Sequence, residues 1–347
     1  MISNTINYGY ACTRIGVLKR SLMSPESIRN LASSSSSSEV IRMLGETDYA
    51  KDLDEMSIKH RGGNLIEMAI GRNIAREFRK IAVMTPYKSR DAIMTLLGKW
   101  DVHNIKVILL GKYLGHETDE IKPLLVPAGN LSWDKLNVML ERTSVEDVVD
   151  HLLNSEYGGV LSEKMLEYKS SGEVTPLLSA LDGYYYASLM TILTDSVPGP
   201  AIIMLVKAEI DIKNLMMVLR SKNEGIDGSE TQDYLISGGH LPQSMLKELL
   251  ECKSVEEAVN KIKDEFDLTE ELEKYSVDHS IVHFENKLEA SLALKKIEKL
   301  RYSTMSLEAI VGHIYRKEEE ANNIRKIARA KEFNLPEDEI EEMLVFS

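Results

Sequence analysis

The sequence predicts an all-α protein built from three related units. Three observations carry this. Apolar residues recur at helical spacing, and no convincing alternating run suggests a strand. Aromatics (6%) and Pro (9 residues) are scarce, whereas Met (16) is plentiful, a balance that favours helix. Above all, one segment occurs three times: DVHNIKVILLGK at 101–112, DIKNLMMVLRSK at 211–222 and EANNIRKIARAK at 320–331.

Asn104, Asn214 and Asn323 anchor the alignment, at offsets of 110 and 109 residues. Eight residues on, each copy has a lysine: Lys112, Lys222 and Lys331. Three residues before each Asn stands an acid: Asp101, Asp211 and Glu320. Downstream, Gly129-x-Leu131 lies over Gly239-x-Leu241, and Ser144-Val145-Glu146 over Ser254-Val255-Glu256. Copy three ends early, with Leu344 over Leu125 and Leu235, and an earlier version of the unit's tail stands at 36–44. Such periodicity points to repeated units. They are placed at 1–115, 116–225 and 226–347.

In order along the chain, the Ser33–Ser38 run reads as a polar turn whose serine caps a helix through Glu39. A long helix is expected from about Ser89 to Lys112–Gly115. The stretch 184–206 is the best candidate for a membrane span. It is broken by Asp195 and by Pro198-Gly199-Pro200, and a span needs about 20 apolar residues. It reads instead as a buried helix, a turn and a second helix start, so any membrane association would be peripheral. Ile212, Leu215, Met216 and Leu219 share one helical face, extending a helix over 201–222 with Gly225 as its stop. The turns PAGN at 127 and SGGH at 237 punctuate the units, and a third long helix runs from Leu307 to Lys331 with Pro336 beyond.

The acid, Asn and Lys of each copy then fall within a long helix. The lysine lies about three turns after the acid, on nearly the same face. Asp and Asn are poor interior helix residues because they bond competing backbone groups. A recurring stripe of this kind suggests structural pins between helices or units, with a solvated helix face as the alternative.

The formal net charge is −13 without a concentrated basic block, which excludes a typical nucleic-acid binder. Cys12 and Cys252 lack CxxC spacing, so neither a disulfide framework nor a zinc site is expected, and a reducing compartment is. No basic-then-apolar leader opens the sequence, and export is not expected. GKYLGHET at 111 lacks the order of a Walker loop, no GxGxxG follows a strand and GxSxG is absent. His279 and His283 stand at i, i+4, but without HExxH order or a third ligand nearby they read as an ordinary pair. KEEEANNIRKIARAK at 317 reads as a salt-bridged helix end. No catalytic, cofactor or metal residues are expected.

The chain resembles the C subunit of A-type (V-type) ATP synthases, the counterpart of the d subunit of V-ATPases. The opening NYGYACTRIGVLKRSLM is similar to that family's first helix, with Tyr10, Arg14 and Lys19 fitting and Cys12 and Thr13 replacing the usual Asn and Ala. LGETDYAKDL at 44–53 is similar to its L-x-x-T-x-Y-x-x-x-L segment. Lys317, Glu318, Glu320, Asn323, Ile324 and Arg325 match its ending. The resemblance implies a pseudo-threefold, funnel-like helical protein, peripheral on the cytoplasmic face of the membrane. It would link the D and F subunits of the axle to the membrane proteolipid ring and pass torque without an active site. The alternative from the residues alone is a soluble helical scaffold for another complex.

Overall fold

In a computed structural model, residues 7–195 and 199–346 are described; Pro198 of the expected helix-breaking triplet lies outside them. All regular structure among the described residues is helical. The chain opens with α1 (Gly9–Leu18), α2 (Pro25–Ala32), α3 (Ser37–Leu44), α4 (Ala50–Met56) and α5 (Gly62–Met84). It continues through α6 (Tyr87–Tyr113), α7 (Thr118–Ile121), α8 (Trp133–Leu140), α9 (Val145–Leu152), α10 (Gly158–Ser171) and α11 (Thr175–Asp195). Next come α12 (Pro200–Glu224), α13 (Gly228–Gln232), α14 (Gln243–Glu251), α15 (Val255–Phe266), α16 (Thr269–Asp278) and α17 (Val282–Leu300). Two helices, α18 (Leu307–Glu332) and α19 (Glu337–Met343), complete it.

The three long repeat helices are α6, α12 and α18. Helix α12 starts with Pro200 in its first turn, where a missing N–H costs nothing, and stops at Gly225, whose φ of 71° is left-handed. Leu215 and Leu219 on its apolar face are each 1% exposed. Helix α11 ends at Asp195 and α12 begins at Pro200, and no described helix is long and apolar enough to cross a membrane. The Ser run ends in a cap: Ser36 Oγ accepts from Glu39 N at 3.3 Å. Ser144 and Ser254, at corresponding positions, cap α9 and α15 in the same way, accepting from Asp147 N (3.1 Å) and Glu257 N (3.2 Å). One local signal thus starts the same short helix three times.

Each long helix is followed by short helices and then by a helix that returns along it. Helix α11 packs on α6, α17 on α12, and α5 on α18. The partner of α18 therefore comes from the N-terminal part of the chain. Helix α1 lies against α5 and α18. Cys12 turns its thiol toward the Ser306 carbonyl (3.8 Å), and Thr13 Oγ1 donates to the Gly9 carbonyl (2.8 Å).

His279 and His283 do not share a helix. His279 ends α16 in a left-handed conformation (φ 55°), while His283 in α17 bonds to Asp278 Oδ2 at 2.7 Å. Nor is the 317–331 stretch simply a solvated, salt-bridged end. Lys317, Glu318 and Glu320 are buried. Lys317 Nζ lies 2.7 Å from Glu320 Oε1 and 4.0 Å from Glu77 Oε2, and His313 Nε2 is 2.7 Å from Glu77 Oε1. Helix α5 covers this face, so charges that look solvated in one dimension are internal in three.

Candidate functional site

The shared geometry of the three long helices begins with the Asn residues. Asn104, Asn214 and Asn323 are all buried. Asn104 Nδ2 donates to the Val126 carbonyl (2.8 Å), and its Oδ1 accepts from Val126 N (2.7 Å). Asn214 makes the same two bonds with Ile236 (2.8 and 2.8 Å), and Asn323 with Val345 (2.8 and 3.0 Å). In each case the partner lies 22 residues downstream. A side-chain amide matches one backbone N–H and C=O together, which is why this residue type suits a paired bond to an extended segment.

The acids take the next turn of that segment. Asp101 accepts from Asn130 N (2.7 Å) and Leu131 N (2.8 Å), and Asp211 from His240 N and Leu241 N (3.0 Å each). Glycine is required beside them. A Cβ at Gly129 would lie 2.4 Å from Asp101 Oδ1, and one at Gly239 2.1 Å from Asp211 Oδ1. A third donor differs between units: Tyr157 OH reaches Asp101 (3.4 Å), whereas His240 Nδ1 reaches Asp211 (3.2 Å). Burial raises the Asp101 carboxyl to about 6, against the pull of the Leu131 and Asn130 N–H groups.

Glu320 occupies the third equivalent position, and the N-terminal segment supplies its donors. Its Oε2 accepts from Met23 N (2.5 Å) and its Oε1 from Tyr49 OH (2.7 Å). Met23 and Ser24 here stand as Leu131 and Ser132 do in the first copy, each serine capping the helix that follows. Tyr49 stands as Tyr157 does. The N-terminal segment thus completes the packing that α18 begins.

Lys112 Nζ donates to the Leu140 carbonyl (2.8 Å), and Lys222 makes the corresponding bond to Leu250. Lys331 is half-buried and makes no such bond among the described residues; its ammonium acts on Glu39.

A second ridge faces the other way. Lys99, Glu209 and Glu318 occupy corresponding positions, as do His103, Lys213 and Asn322, and all six line two adjoining cavities of about 440 and about 490 Å³ between the long helices. The walls mix apolar surface with charged groups that brace one another. Lys99 pairs with Glu318 and Lys296 with Glu209, Lys106 Nζ lies 2.6 Å from Asp182, and Tyr186 OH donates to Glu209 (2.7 Å). Burial opposes ionisation of Glu209, but Lys296, then Lys99, and the bonds from Lys296 and Tyr186 outweigh it and hold the carboxyl at about 2. Crowding by the surrounding protein lowers the imidazole of His103, although its ring stays open to solvent, and Arg325, Lys106 and Lys99 add to the fall against its bond to the Leu124 carbonyl (3.1 Å). It is neutral at pH 7. Lys213 and Asn322 stay exposed to the space.

Sequence reasoning missed this ridge. Its signal was present: polar residues five places and one place before each aligned Asn. No group of acidic, His and Cys residues able to hold a metal occurs among the described residues.

Fold and site define an all-helical protein whose three long helices carry the same buried Asn bonds and flank two adjoining cavities. The family model described as ATP synthase (C/AC39) subunit matches residues 11–343, and the chain belongs to that family. It is 26% identical to the C subunit of the A-type ATP synthase of Thermoplasma acidophilum, covering 96% of each chain. It is 30% identical to that of Halorubrum lacusprofundi over 98% of each, and 28% identical to that of Methanocaldococcus jannaschii over 99% of this chain and 88% of the relative. As a member, it is an accessory subunit of an A-type ATP synthase and not an enzyme on its own.

Proposed function

We propose that this chain is the central-stalk rotor component that joins the soluble axle, made of the D and F subunits, to the membrane proteolipid ring and passes torque between them. Its place is peripheral, on the cytoplasmic face of the membrane. The observation that carries the reading is the set of three long helices, each tied by a buried Asn to a segment 22 residues downstream and each presenting a polar ridge to the two adjoining cavities. Satisfied buried networks stiffen a fold, and a torque adaptor must not yield. The cavity is the natural seat for the axle.

The nine stripe residues act as internal pins, with Lys331 the weakest. The packing also supports a pseudo-threefold arrangement in which each unit is counted from its long helix: α6–α11, α12–α17, and α18–α19 completed by α2–α5. This moves the boundaries from 1–115, 116–225 and 226–347 to the turns before each long helix.

A tagged chain, recovered from mildly solubilised membranes with its partners identified by mass spectrometry, tests the reading. Recovery of the proteolipid together with the D and F subunits is expected. Recovery of unrelated soluble proteins alone would overturn it.

A further inference from the structure

The surface charge is divided along the long helices. The turns after them are acidic: Glu117 and Asp119 after α6, Asp227 and Glu230 after α12, Asp338 and Glu341 after α18, all exposed. The opposite end, where α5, α11 and α17 pass into α6, α12 and α18, includes three stretches without an acidic residue, 7–18, 79–90 and 299–307, beside the α11–α12 turn with its exposed Asp195. Two contacts bring them together. Tyr8 OH is 2.7 Å from Ser89 Oγ at the start of α6, and the Cys12 thiol faces Ser306 at the start of α18. Helix α1 therefore lies between the α5–α6 and α17–α18 turns.

That end exposes large apolar and aromatic side chains. Tyr87 and Tyr302 are each 84% exposed, and Tyr10, Val83 and Met305 are also open to solvent. Among them stand Arg14, Lys80 and Arg301, all exposed and without an ion pair to a carboxylate among the described residues. Arg301 lies over the Tyr302 ring, 5.7 Å from its centroid. Asp91 and Glu308 directly follow two of these stretches in the sequence. In a chain of net charge −13 this acid-poor, cationic patch stands out; the acidic turns also expose Phe333 and Leu114, but among carboxylates rather than cations.

We propose that this end face binds the anionic phospholipid surface. Tyrosine favours the headgroup level, where its ring is partly buried and its hydroxyl wet, and arginine and lysine are drawn to lipid phosphates. The acidic end then points away from the bilayer, so the charge division orients the molecule. The proposal rests on the rotor reading for its setting, but the test below is independent of it.

The experiment is co-sedimentation of the purified full chain with vesicles of phosphatidylcholine containing about one third phosphatidylglycerol, against pure phosphatidylcholine, at low and high salt. Binding to the anionic vesicles alone, weakened by salt, is expected. Arg14→Glu with Arg301→Glu lowers it by at least about tenfold, Tyr87→Ser with Tyr302→Ser lowers it without altering the salt dependence, and Asp119→Lys with Asp338→Lys does not lower it. Unchanged circular dichroism and melting show that each variant is folded. No preference for anionic vesicles, or binding indifferent to the patch variants, overturns the proposal. Patch variants that spare vesicle binding but weaken recovery of the proteolipid also overturn it, by showing that the patch docks on protein. Because co-purification tests the rotor reading and sedimentation the patch, the two can fail separately.

Discussion

At the residue scale, the repeated Asn explains why a poor helix former persists in three helix interiors. It gives up some propensity and gains two buried bonds. Asn214→Ala strips Ile236 of both partners, and we expect a loss of about 2 kcal/mol, read as a lower denaturant midpoint at unchanged slope. The glycines are as specific. Asp211 is held by two N–H groups and cannot swing aside, so Gly239→Ala destabilises by about 1–3 kcal/mol, whereas an alanine at Gly183, with open space around it, does not. Glu209 gives a pH signature. Its carboxyl is held below its usual 4.5, at about 2, so its stabilisation is complete above about 4.5 and lost as pH falls toward 2. Melting curves across that window should show the wild type losing on the order of 2 kcal/mol more than Glu209→Gln.

At the element scale, the long helices follow from apolar spacing and from their stops. Leu219 lies inside α12, 1% exposed. Leu219→Pro removes an interior bond, drives a ring into the preceding turn and loses a packed side chain, so a loss of more than about 3 kcal/mol is expected. Unaltered melting of that variant would contradict the helix. The serine cap of α3 was legible in the sequence, because capping is local, and Ser144 and Ser254 at aligned positions cap in the same way. What stayed hidden was which face of each helix met protein. Lys317 read as part of a solvated ladder because the covering helix α5 comes from the far end of the chain. Glu77 on α5 and its partner His313 are 236 residues apart, and no local pattern reports such a contact.

At the scale of the whole molecule, the fragment at 36–44 was legible as a copy of the unit's tail, and its helix α3 packs on α18 and α5. The decisive detail was not readable: Glu320 replaces Asp, and its longer side chain reaches Met23 N, where the other copies use their own downstream backbone. The cavity was equally hidden as a volume, though its ridge recurs at fixed offsets from the Asn. The central claim is that this cavity seats the axle. A photo-cross-linkable residue placed at position 213 or 322, both exposed to the cavity, tests it most directly in native membranes. Adducts with the D or F subunits are the predicted result. Adducts with the proteolipid ring alone, or none in an otherwise assembled complex, would contradict it.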